Sequence, residues 1–137
     1  LIHGGTSSVV ALGAAPGRQD WSIEVKGYEG KQIGLVDRAM AVTSAGGGGA
    51  GGHLIDPFSG DRLGRDRGGA MVVGDSATDC DGWATALTVA GFEGDVARQI
   101  PATMQGYRLN NEESTNMKPE AEAAVEEERW KRTVEIS

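Results

Sequence analysis

The chain has 137 residues, 39% of them hydrophobic, with 20 acidic residues against 13 Lys or Arg and a formal net charge of −7. That length suits one ordinary domain with a core of modest size, and no stretch approaches the ~18 apolar residues that a membrane span requires. The acidic balance lacks the basic surface that phosphate backbones demand, which argues against nucleic acid as a partner, and the single Cys80 cannot form an internal disulfide and is by itself a poor metal site.

The chain opens on Leu1 rather than Met and so reads as a fragment, which leaves targeting signals outside its scope. HGGTSS, His3 to Ser8, bends at two glycines and then offers three consecutive hydroxyls. Those hydroxyls can contact a phosphate or a ribose, or they can punctuate a tight turn. Apolar or alternating stretches recur at Ser8–Leu12, Trp21–Lys26, Ile33–Val36, Ala39–Thr43, His53–Asp56 and Ala70–Gly74. Each is bounded by Gly, Pro or Asp, the pattern of short strands in a meandering sheet. Between the fourth and fifth lies SAGGGGAGG, Ser44 to Gly52, where the backbone entropy lost on ordering is greatest, so a flexible loop is expected.

His53 stands between that loop and Asp56-Pro57-Phe58-Ser59-Gly60, whose Pro and Gly suit a tight reversal. An imidazole at a loop edge is available for proton transfer near neutral pH, and a lone His beside a strand also serves as a hydrogen-bonded structural residue. Further on, Thr78-Asp79 can cap a helix that runs to about Ala90, with Gly91 as its terminus and Trp83, Ala84, Leu87 and Ala90 as its apolar stripe. Asp81 and Thr85 are four residues apart and therefore share one face. An anionic and a neutral oxygen stacked in this way suit a hard cation such as Mg2+, which completes its shell with water and substrate phosphate. Amides at the same helix end favour phosphate. The plainer reading is a helix cap and a groove residue.

A weaker helical stretch covers Gly94–Gln99, and after Pro101 the pattern dissolves. From Asn111 to Ser137 there are eight Glu against four Lys or Arg, with Val125 and Trp130 nearly the only apolar contacts on offer. The pairs Glu127 with Lys131 and Glu128 with Arg132 would support an exposed helix, so residues 107–137 read as an acidic tail, helical or disordered. No GxxxxGK[ST], GxSxG, HExxH or paired CxxC occurs, which removes the commonest phosphate-loop, hydrolase and zinc readings.

In order, HGGTSSVVALG, DWSIEV, AVTS, HLIDPFSG and DCDGWATALTVAG form a succession that resembles the ApbE family of FAD:protein FMN transferases over roughly residues 1–94, within a domain expected to span 1–106. HLIDPFSG is similar to the family's H-x-x-D-P-x-T-G, and Asp81-Gly82-Trp83-Ala84-Thr85-Ala86 to its D-A-x-x-T-A. The resemblance implies Mg2+-dependent transfer of FMN from FAD to a Thr or Ser hydroxyl of an acceptor flavoprotein, with release of AMP. FAD pyrophosphatase activity and a non-catalytic flavin-binding descendant are the alternatives. It further implies a metal held by Asp81 and Thr85, a catalytic His53, and cofactor contacts from Gly4, Gly5, Thr6 and His53. Asp56 and Ser59 are expected to shape the turn that presents His53.

The chain departs from the family pattern at Thr6 (often Asp), at Ser44-Ala45 and the glycine run (often Ser-Gly-Asp-Tyr), at Gly82 (usually Ala) and at Ser59 (Thr). The family's amino-terminal half supplies much of the flavin pocket and a further metal contact, so this chain alone is expected to bind FAD poorly. Relatives act outside the bacterial cytoplasm, often on a lipid anchor, which would lie outside these residues. The fold expected is α+β, an antiparallel or mixed sheet with the Asp79–Ala90 helix packed on one face.

Overall fold

A computed structural model describes residues 1–5, 7–46, 53–110 and, for the backbone, 134–136. In chain order the elements are β1 (Ile2–Gly4), β2 (Ser8–Val10), β3 (Trp21–Val25), β4 (Gln32–Leu35), β5 (Ala39–Ser44), β6 (Gly69–Gly74), α1 (Ala77–Ala90), α2 (Asp95–Arg98), β7 (Gln105–Leu109) and β8 (Val134–Ile136). Five strands form an antiparallel sheet in the order β1-β2-β5-β6-β7, and β4-β3-β8 form a second sheet with β3 and β8 parallel. The α+β class expected from the sequence is the class observed.

The central strands explain why the sheet carries a layer on each face. β5 reads Ala-Met-Ala-Val-Thr-Ser and β6 reads Gly-Ala-Met-Val-Val-Gly, and side chains alternate between faces along a strand. The bulky set, Met40, Val42, Met71 and Val73, turns toward the second sheet and packs with Val9, Ile23, Val25, Leu35 and Leu109. The smaller set, Ala39, Ala41, Ala70 and Val72, turns toward α1 and meets Cys80, Ala84 and Leu87. Methyl-sized residues on that face let the helix lie close to the strands. Burial of each large side chain contributes about 1.5–3 kcal/mol, which places most of the fold's stability on the Met40 and Met71 side.

α1 begins two to three residues earlier than its sequence suggests. The cap is Ser76, whose hydroxyl accepts from the Asp79 amide at 3.3 Å, so Thr78 and Asp79 lie inside the first turn instead of capping it. Its buried face is Cys80, Ala84, Leu87 and Thr88, an i, i+4, i+7, i+8 stripe. Ala90 is exposed and Trp83 half-buried, which corrects the expected stripe. The helix ends at Gly91, at φ 84°, whose amide donates to the Leu87 carbonyl. Arg67 also donates to the Val89 carbonyl at 2.8 Å, a cation at the negative end of a helix with no basic residue in its last turn.

Three other expectations change. His53–Asp56 is not a strand, since only Ile55 bridges, to Arg62. After Pro101 the pattern does not dissolve: β7 pairs with β6 from Gln105 to Leu109, and the sheet continues past residue 106. β7 has an exposed outer half and only Leu109 fully buried, so it lacks a strand's usual apolar alternation. The expected glycine-loop flexibility at 47–52 and the character of the tail at 111–133 lie outside the described residues. At 134–136 the chain is extended beside β3.

Candidate active site

Contacts between α1 and β5 set the geometry of the site. Cys80 lies against the Ala39 carbonyl, while Thr85 and Thr88 both reach Thr43, so α1 runs alongside β5 in the same direction. Leu87 faces β7, where a Cβ added at Gly106 would meet its side chain. The opposite flank of α1, which holds Asp81, Thr85 and Val89 at four-residue intervals, therefore overlooks the β5 and β2 side of the sheet. These three positions span about 12 Å along the helix.

Each position on that flank has a different environment. Asp81 is exposed, and among the described residues nothing pairs with its carboxylate. Thr85 is half-buried, with its Oγ1 3.1 Å from Thr43 Oγ1, and either hydroxyl can be the donor. Val89 packs against a small cluster of Ala45, Leu54 and Leu63. Leu54 follows His53 directly, so the segment carrying His53 meets α1 one turn beyond Thr85. His53 itself is exposed.

The hairpin after His53 is held by local hydrogen bonds. Leu63 donates to Leu54 and Asp56 to Asp61 across its two arms, and Gly60, at φ 76°, donates back to Asp56. Asp56 Oδ1 accepts from the Phe58 amide at 2.8 Å, and Ser59 Oγ accepts from the Asp61 amide at 3.1 Å. Asp56 and Ser59 thus serve as turn formers, each using its side-chain oxygen to fold the backbone two residues on.

The glycine turn joins the same end of the sheet. Val42 donates to the Ser7 carbonyl at 2.7 Å, and Ser8 pairs with Ala41 on the face that α1 covers. A Cβ at Gly4 would fall on Ser8 Oγ, a hydroxyl that can rotate aside, whereas Gly5 sits at φ 68°, where glycine is favoured. Thr6 lies outside the described residues. The glycine turn beside Val42, Thr85 over Thr43 and the His53 hairpin against Ala45 therefore lie along the second half of β5, while Asp81, next to Cys80 over Ala39, stands one helical turn back toward its start.

The donor set of the α1 flank is all oxygen, which fits a hard divalent cation and not a soft one. Among the described residues no three His, Cys, Asp or Glu side chains gather as a closed metal centre, so a cation here would take only Asp81 and Thr85 from α1 and the rest of its shell from water or substrate oxygens. Cys80 adds nothing to such a site. Burial pushes its thiol up to about 11, so it stays protonated at neutral pH beneath the helix. Gly82, where the family motif usually has Ala, has open space where a Cβ would stand, so the departure does not alter the flank.

The residue that sequence reasoning passes over is Thr43. It falls within AVTS, one of the segments that carry the resemblance, and it is a hydroxyl in the third inward position of a strand whose other two, Ala39 and Ala41, are methyl-sized. Against known protein families, residues 1–106 match the ApbE family. No curated protein and no solved structure matches the chain.

Proposed function

The chain belongs to the ApbE family, and on that premise we propose that it serves Mg2+-dependent transfer of FMN from FAD to a Thr or Ser hydroxyl of an acceptor flavoprotein. Family membership points to a flavin transferase. The observation that supports the finer reading is the α1 flank, where exposed Asp81 and half-buried Thr85 stand in line with the hairpin that carries His53.

In the proposed reaction the acceptor hydroxyl oxygen attacks the phosphorus on the FMN side of the FAD pyrophosphate. A P–O bond forms to the acceptor, the bond to the AMP phosphate breaks, and AMP leaves. Mg2+ held by Asp81 and Thr85 would offset the charge of the pyrophosphate as it is displaced. His53, exposed at the hairpin's edge, would accept or orient the proton of the attacking hydroxyl. Gly4 and Gly5 would present backbone groups to the nucleotide from the turn beside β5, and the family reading adds a contact from Thr6. An extracytoplasmic location, with any anchor outside these residues, goes with this reading.

Mass spectrometry of an acceptor flavoprotein incubated with the intact natural protein tests it. Gain of an FMN mass on a Thr or Ser, dependent on both FAD and Mg2+ and lost in Asp81→Ala and His53→Ala, is the expected result. Free FMN and AMP with an unmodified acceptor would assign pyrophosphatase activity instead. A bound flavin without any Mg2+-dependent turnover would assign a binding protein, and unchanged transfer in both variants would remove the site from these residues.

A further inference from the structure

We propose that Thr43 is a positioning residue for the cation site, holding the Thr85 hydroxyl so that its lone pairs face away from the sheet. The inference rests on the metal reading above, and it concerns a residue on β5 that lies outside the helix motif.

A threonine hydroxyl has one proton and two lone pairs. Inside a helix its usual outlet is the carbonyl four residues earlier, which leaves the oxygen turned against its own backbone. Thr88 does this, donating to Ala84 at 2.8 Å and reaching the Thr43 carbonyl at 3.3 Å. Thr85, less than a turn away on the same helix, turns instead to Thr43 Oγ1 at 3.1 Å. A cation on Thr85 repels the hydroxyl proton and so selects the arrangement in which Thr85 donates and Thr43 accepts. Both Thr85 lone pairs are then turned away from Thr43.

Thr43 is well placed to accept. It is only 8% exposed, so little water competes for the bond, and its backbone is fixed by the β5–β6 pairing opposite Ala70. Metal ligands are commonly oriented by such a second hydrogen-bond partner, whose loss weakens metal affinity roughly 10–100-fold.

The test is a Mn2+ titration of the full chain followed by electron paramagnetic resonance, with the thermal unfolding midpoint of each variant measured alongside. Thr43→Val, which keeps the shape and removes the acceptor, is expected to weaken Mn2+ binding roughly 10-fold, and Thr43→Ser to restore it. Thr88→Val should lower the unfolding midpoint and leave Mn2+ affinity unchanged. Wild-type affinity in Thr43→Val together with a loss in Asp81→Asn would overturn the role of Thr43 while keeping the site. Equal weakening by Thr43→Val and Thr43→Ser would also overturn it, as the sign of a packing role alone. Mn2+ binding that is absent from the wild type, or unaffected in Asp81→Asn, would overturn the metal reading and this inference with it.

Discussion

The α1 flank and the hairpin after His53 meet at Val89 but are held in place by different forces. α1 is pressed onto β5 and β6 by Cys80, Ala84, Leu87 and Thr88, all buried, and its threonines bond across to Thr43. The hairpin touches the body mainly through Leu54 and Leu63, while Ile55 and Phe58 are 54% and 99% exposed. Its shape comes from hydrogen bonds among its own turn residues. On the proposed reading, the cation ligands would be carried on the packed element and the proton acceptor, which would have to meet a second molecule, on the exposed one. Local opening costs least where buried contacts are fewest, so the hairpin is the part expected to move.

That contrast can be broken most forcefully through the core beneath α1. Leu87→Ala should cost about 2–5 kcal/mol in denaturant unfolding, because Leu87 is 2% exposed and fills the space against Gly106 and Phe92. A loss near zero would show that the helix is not held by its packing. Leu54→Ala should cost about 2 kcal/mol, the low end for such a change, since its cluster is small and at the surface. Hydrogen exchange sharpens the comparison: the Leu63 amide, bonded to Leu54, should exchange faster while amides of α1 stay protected. Uniform acceleration would mean that the two regions open as one.

Smaller changes test the helix by itself. Ser76→Ala removes the hydroxyl that caps the Asp79 amide and should cost about 1 kcal/mol in the same unfolding experiment. Gly82→Ala should stabilise the protein by somewhat under 1 kcal/mol, since the added methyl meets nothing and helix propensity rises. A destabilised Gly82→Ala variant would mean that the flank is more crowded than its open side implies. Phe58→Ser, at the fully exposed hairpin tip, should shift stability by less than about 0.5 kcal/mol.

Much of this arrangement was legible in local sequence because it depends on local rules. The alternation in AMAVTS and GAMVVG marks strands, Gly91 marks a helix end, and four-residue spacing alone puts Asp81 and Thr85 on one face. Where those rules compete, the sequence misleads. Ser76, Thr78 and Asp79 are all good caps, and the choice of Ser76 follows from where β6 ends and the helix can reach the sheet. His53–Asp56 has the apolar look of a strand, yet Asp56 and Ser59 divert the backbone into turns before a ladder can form. β7 was missed because an edge strand with an open outer half has little apolar pattern to read.

By itself, then, the sequence determined the α+β class, the helix with its Asp81–Thr85 face and the succession of motifs that marks the ApbE family, all of which follow from residues close together in the chain. Only the tertiary structure decided what stands opposite that face. Thr43 and Thr85 are 42 positions apart, and nothing in either neighbourhood specifies the other. They meet because the small residues of β5 and β6 let α1 settle close to the sheet, while the bulky ones hold the opposite face against the second sheet.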